Sequence, residues 1–276
     1  INVMEASLIA LRSGRILLAF MRKDNQGCGD CRDGILHVMA KRSDDAGVTW
    51  TSPQDVTSGD AYWCATNDRL LQLQSGRLLL PVGEHTAGCH VWVSDDAGET
   101  WRKGRGAVKP PQGVRYAEPT AVETADGRVL MFIRADGNRL RIAESSDEGE
   151  FWSVRDEPGP PSPFAPCMVR RLPQSRDLLL IWNNHNVRSN LTAAVSSDSA
   201  RTWRRFSLLE PQAEWPLAHT YAYPSLVICG SFAHMTYWRT DVVESDARRF
   251  HLIYRRVPLS VWTSSGAQCK GGLASL

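Results

Sequence analysis

Three sets of residues have side chains and spacings that could do chemistry. Cys28 and Cys31 form the tetrad Cys-Gly-Asp-Cys, which is the spacing of half a zinc site or of a redox pair. No second Cys-x-x-Cys and no Cys/His pair at ligand spacing accompanies it. A loop disulfide or two free thiols is therefore expected there, and 7 cysteines exclude complete internal pairing. His85, His90, His185 and His219 show neither His-x-His nor His-Glu-x-x-His spacing and read as surface or loop residues rather than ligands. The third set is the aspartates of SDDAGVTW (43–50), SDDAGETW (94–101), SSDEGEFW (145–152) and SSDSARTW (196–203). An aspartate in such a turn accepts backbone N–H bonds, and the glycine after it supplies the permissive φ. Asp45, Asp96, Asp147 and Asp198 are expected to shape turns, and their closing tryptophans to pack between sheets. The fourth box has Ala200 in the glycine place, so that turn should be strained or differently shaped.

What these turns position follows from their spacing. The aspartates at 45, 96, 147 and 198 recur at a constant step of 51, a period that marks a repeat architecture. Between the boxes lie apolar runs joined by Ser-Gly or Asp-Gly, as in SLIALRSGRILLAFMR (7–22), RLLQLQSGRLLLPVG (69–83) and PTAVETADGRVLMFIR (119–134). Such dipeptides are hairpin signals. PCMVRRLPQSRDLLLIWN (166–183) and PSLVICGSFAHMTYW (224–238) repeat the plan. A third strand enters each aspartate turn and a fourth leaves it, and no long helical period intervenes. Four short antiparallel strands per repeat describe a blade, so the fold class is all-β, a β-propeller. One domain is expected over 1–276, with blades at roughly 1–58, 59–110, 111–160, 161–215 and 216–265. Either the ring has five blades, or it is a six-bladed design with one blade outside this sequence.

Composition narrows the partners. A net charge of +2, from 32 basic and 30 acidic residues, gives no global field for nucleic acid. TWRRF (202–206) and DARRFHLIYRR (246–256) read as solvated strand faces. No apolar run approaches membrane-spanning length. No signal peptide is recognisable, and neither compartment nor oligomeric state is legible.

The four SxDxGxTW-like boxes in strand–turn–strand context are the Asp-box signature. The chain resembles the sialidase (neuraminidase) superfamily over essentially all of 1–262, especially bacterial BNR-repeat sialidase-like proteins. That resemblance implies a sialidase-like propeller of six blades, no cofactor, and a sialylated or other acidic glycan as substrate. It also implies site residues. AEPTAVETADGRVLMFIR offers Glu118 and the triad arginine Arg134; VRSNLTAAVSSD offers Arg188; YAYPSL offers Tyr223. Arg69, in TNDRLLQL, is a further strand-start arginine for substrate binding. The family's first arginine and its acid/base aspartate have no clear match. MEASL (4–8) places Met4 where that arginine would stand, and Asp30 and Asp33 match the acid by order alone. The simpler reading places both on a blade outside the chain.

The residue types suit the implied chemistry. Arginine grips a carboxylate with two parallel hydrogen bonds and stays charged. A carboxylate nucleophile would be repelled by an anionic sugar, by about 4 kcal/mol for unit charges ~4 Å apart at an effective dielectric near ~20. A phenol avoids this, as in the tyrosine-nucleophile exceptions among glycosidases. Glu118 would be its base, with the arginines lowering the tyrosine pKa. The implied enzyme is an exo-α-sialidase-like glycoside hydrolase acting with retention. Two alternatives stay open: a non-catalytic carbohydrate-binding propeller, and a lyase or hydrolase acting on another uronate-bearing glycan.

Overall fold

The computed structural model describes residues 2–23, 35–57, 59, 61–84, 87–173, 175–211, 219–244 and 247–263. They form five antiparallel sheets in a β-propeller arrangement. The first is β1 (Asn2–Ala10), β2 (Ile16–Lys23), β3 (Leu36–Ser43) and β4 (Gln54–Asp55), paired in chain order. The second is β5 (Leu71–Gln72), β6 (Leu78–Glu84), β7 (Gly88–Ser94) and β8 (Arg102–Lys103), and the third is β9 (Tyr116–Glu123), β10 (Val129–Ala135), β11 (Arg141–Ser145) and β12 (Ser153–Val154). The fourth holds β13 (Met168–Arg171), β14 (Leu178–Asn183), β15 (Leu191–Ser196) and β16 (Arg204–Leu208). The fifth has three long strands, β17 (His219–Cys229), β18 (Phe232–Glu244) and β19 (Ala247–Pro258), followed by the short α1 (Ser260–Thr263). No helix among the described residues is long and apolar enough to cross a membrane.

The expected hairpins form where the turn signals lie. Where the fourth hairpin lacks a glycine, Arg176 takes the left-handed turn at φ 62°. The second and third strands of the central blades are buried on both faces, as in β6, β7 and β14. Their side chains fill the spaces between adjacent sheets: Leu17, Val38, Leu78, Leu80 and Trp92 join the first sheet to the second. Met168, Ile181, Tyr221, Met235 and Tyr237 join the fourth to the fifth.

The aspartate boxes are turns, as their chemistry dictates. Asp45 Oδ1 accepts the Ser43 hydroxyl and the Thr49 amide, each at 2.8 Å, and the Gly47 amide donates to Ser43 Oγ at 2.8 Å. The same bonds recur around Asp96, Asp147 and Asp198. Each box from the second onward docks on the preceding blade. Trp101 packs on the cluster joining the first and second sheets, Trp152 on the next, and Trp203 on the one after that. Ala200 resolves the question of the fourth box. It keeps the shared bonding, with its amide donating to Ser196 Oγ at 2.8 Å, and it adopts φ 66° to do so. That turn is strained rather than reshaped.

Two outcomes follow from the boxes. Gly98 has φ +84°, and a Cβ there would lie 2.8 Å from Leu17 Cδ2. Gly98→Ala is expected to cost about 1–3 kcal/mol, from left-handed strain and overpacking together, measured by urea unfolding. Hydrogen bonds from the Thr49 hydroxyl and amide and the Ser43 hydroxyl hold the Asp45 carboxyl down at about 2. The Thr202 hydroxyl and amide, outweighing partial burial, hold Asp198 there too. A depressed carboxyl stabilises the fold above its unfolded value of ~3.9 and loses that contribution as pH falls through the folded value. The thermal midpoint should therefore drop between pH ~4 and pH ~2, and less steeply in an Asp45→Asn, Asp198→Asn chain.

The outer face of the fifth sheet is open and apolar. Val227, Trp238, Phe250, Leu252 and Tyr254 share one face by register and are 48–72% exposed. Within the stretch read as a basic solvated face, Arg248, Arg249 and Arg256 are exposed as expected, but Phe250, Leu252 and Tyr254 are exposed with them, while His251, Ile253 and Arg255 are half-buried on the other side. Strand β1 likewise leaves Val3 and Leu8 exposed.

Candidate active site

Antiparallel order fixes where chemistry can gather. Each first strand begins at one end of its blade, the second strand returns to that end, and the third departs from it. The aspartate boxes lie at the opposite end, between third and fourth strands. Glu118 opens β9, Arg134 closes β10, Arg188 precedes β15 and Tyr223 lies early in β17. All four therefore belong to the mouth.

The backbone delivers two of them, Glu118 and Tyr223, by a shared device. The pairing register breaks between Met4 and Ser7 in β1, opposite Phe132 and Arg134 in β9, and between Ala222 and Ser225 in β17. The residue inside each break is left-handed: Glu5 at φ 57°, Glu118 at 42° and Tyr223 at 57°. Asp68, just ahead of β5, has φ 59°. A left-handed residue that is not glycine costs on the order of 1–3 kcal/mol and concentrates at functional sites. A bulge re-aims its side chain out of the alternating pattern of the strand. Glu118 and Tyr223 both precede proline, as does Ala165 ahead of β13, which does not take the left-handed turn. Gly83 makes room for one bulge, because a Cβ there would lie 2.9 Å from the Glu118 amide nitrogen.

The side chains meet as a connected group. Tyr223 Oη donates to Glu118 Oε1 at 3.2 Å, and Glu118 Oε2 is held by Arg134 Nη1 in an ion pair. The Arg134 guanidinium stacks 3.9 Å from the centroid of Phe164, and Arg115 lies 4.3 Å from the same ring. Arg188 sits 5.5 Å over the Tyr223 ring and donates to the Phe164 carbonyl at 3.4 Å. Arg134 Nε is buried with no hydrogen-bond partner among the described residues. Burial and the Glu118 charge outweigh Arg134 and Arg188, pushing the Tyr223 phenol up to about 12. The arginines pull it down, as expected, but burial and the Glu118 carboxylate set the net direction. The phenol is neutral at ordinary pH and needs its base.

The reading of Arg69 is corrected. It follows the left-handed Asp68, points inward and is 1% exposed, with no hydrogen-bond partner for any guanidinium nitrogen among the described residues. In this structure it cannot touch a substrate. Its charge acts through space on Asp68 and Glu118. Asp68 is the structural hub of the mouth. Its carboxylate pairs with Arg170 at 2.7 Å and accepts the Leu226 amide at 3.0 Å, and its own amide donates to the Ala6 carbonyl at 3.2 Å. It thereby ties the first, second, fourth and fifth blades together.

Met4, at the place of the expected arginine, opens a complete four-stranded sheet and is half-buried. Cys28, Asp30, Cys31, Asp33 and His85 lie outside the described residues. His90, expected on the surface, is a buried residue of β7 packed edge-on to Trp63 and Trp92. Burial, with Lys103 nearby, lowers its pKa to about 4. Sequence reasoning missed Glu5, Asn67, Asp68 and Phe164. The one signal that could have found Glu5 and Asp68 is their place at the head of a first strand, matching Glu118 and Tyr223. No group of three or more potential metal ligands occurs among the described residues.

Comparison with known proteins agrees with this fold. Residues 3–235 match the model of the BNR repeat-like domain. A sialidase of Micromonospora viridifaciens is 29% identical over 239 residues, covering 74% of this chain and 36% of the relative. A sialidase of Paraclostridium sordellii is 27% identical over 177 residues, covering 56% and 43%. The chain thus spans less than half the length of these curated relatives. Among solved structures, the Hadza microbial sialidase Hz136 superposes with a TM-score of 0.74 at 18% identity, covering 95% of this chain and 53% of that one. With Asp boxes, five blades and a family match over most of its length, this chain belongs to the BNR repeat-like domain family and is a sialidase-like member of it.

Proposed function

We propose that the protein is an exo-α-sialidase-type glycoside hydrolase that removes a terminal sialic acid, or a related acidic sugar, with retention. The observation that carries this reading is the Tyr223–Glu118–Arg134 chain, in which one carboxylate oxygen accepts the phenol proton while the other is held by a guanidinium. The phenol oxygen attacks the anomeric carbon as its proton passes to Glu118. A phenol with its pKa at about 12 is a poor nucleophile unless a base takes its proton as it attacks. Arg188 and the partly exposed guanidinium of Arg134 supply the fork-shaped donors for the sugar carboxylate. The sialidase relatives favour the same substrate class.

Met4 supports a second reading. A methionine cannot donate to a carboxylate, so of the expected arginine triad Arg134 and Arg188 are matched here, and a binding-only propeller would need no more. Incubation with 4-methylumbelliferyl sialoside separates the two. Release of the fluorophore, with NMR showing the α-anomer as first product, is the expected result. Saturable sialoside binding without product, measured by calorimetry, would replace the hydrolase by the binding module. An absorbance rise from a new double bond would place the protein among lyases.

A further inference from the structure

The mouth holds a second carboxylate whose surroundings differ from those of Glu118. Glu5 occupies the left-handed position of its bulge just as Tyr223 does: each lies between a register break and a serine two residues on, Ser7 and Ser225. Asn67 links the two directly. Its amide donates to Glu5 Oε2 at 3.0 Å and its side-chain amide to the Tyr223 carbonyl at 3.4 Å. Glu118 is held on both oxygens, by Arg134 and Tyr223. Glu5 forms no ion pair with a described residue. The charged and titratable groups that face it are Glu118 from the third blade, and Arg69 and Cys64 from the second. Two carboxyls in contrasting settings are the usual basis for splitting base from acid.

We infer that Glu5 is the proton donor to the departing sugar oxygen, and then the base for the incoming water. This assignment rests on the hydrolase reading above. In the first half-reaction the Glu5 proton moves to the glycosidic oxygen as its bond to the anomeric carbon breaks. The Tyr223 oxygen forms the new bond and its proton goes to Glu118. In the second, Glu5 takes a proton from water, the water oxygen bonds to the anomeric carbon, and the Tyr223 oxygen leaves and recovers its proton from Glu118. Every group returns to its starting state. Burial and the neighbouring Glu118 charge raise the Glu5 pKa, against the Asn67 bond and Arg69. The carboxyl thus keeps its proton to higher pH than an exposed glutamate would.

The test compares one variant on two substrates. A 4-nitrophenyl sialoside has a leaving group that departs with little help, whereas a sialyl-lactose leaving group needs its proton. In Glu5→Gln, kcat/KM for sialyl-lactose should fall by about 10^2–10^4-fold and that for the nitrophenyl sialoside far less. The ratio of the two is independent of how much variant is folded. The alkaline limb of the wild-type pH profile on sialyl-lactose should also vanish, which loss of a purely structural contact would not do. Wild-type turnover with an unchanged ratio in Glu5→Gln overturns the assignment alone. A wild-type chain that turns over neither substrate overturns the hydrolase reading and this assignment together.

Discussion

Tyr223→Phe is expected to lower kcat on an aryl sialoside by roughly 10^3-fold, or about 4 kcal/mol of transition-state stabilisation, with KM little changed. Phenylalanine keeps the ring over which Arg188 lies and removes only the oxygen bonded to Glu118. Ground-state contacts survive and the bond-forming atom does not. Glu118→Gln should cost a comparable factor, since the phenol oxygen then has no acceptor for its proton. The double variant should be scarcely worse than either single one, because nucleophile and base act as a unit. Steady-state kinetics on the three proteins check this. Turnover by Tyr223→Phe within a few fold of wild type would remove the phenol from the mechanism.

The largest loss of stability is expected at Asp68. Asp68→Ala leaves the Arg170 guanidinium without its carboxylate and the Leu226 amide without its acceptor. Both partners are largely buried, and removing one member of such a pair typically costs about 3–5 kcal/mol. Urea unfolding should show that loss. Asp68→Asn, which can still accept from Leu226, should lose less. Pairing Asp68→Ala with Arg170→Met should recover part of it, because the stranded charge goes too. If Asp68→Ala unfolds at the wild-type urea midpoint, the carboxylate is not what joins the second, fourth and fifth blades.

Much of the fold was legible because its signals are local. A Ser-Gly or Asp-Gly pair specifies its own hairpin, and the boxes close on hydrogen bonds within a few residues of Asp45 or Asp198. Glu118, Arg134, Arg188 and Tyr223 could be nominated because their segments match a known family. What stayed hidden depends on direction and on burial. Arg69 looks like a mouth residue by position, yet the left-handed turn at Asp68 sends it inward. Glu5 reads as an ordinary strand residue until the break in pairing with β2 is known. The net direction of the Tyr223 pKa stayed hidden because arginines can be counted in a sequence, whereas burial emerges only after the blades have packed. His90 was misplaced for the same reason.

The bulged strand heads have a consequence for how such a protein acquires a chemistry. At each such head the side chain leaves the pleat, while the apolar residues of the strands behind it fill the spaces between sheets. In chain order the three bulged heads hold Glu5, Glu118 and Tyr223, spread over 219 residues, from 5 to 223. Divergence of chemistry within such a scaffold should therefore be sought first at these three heads.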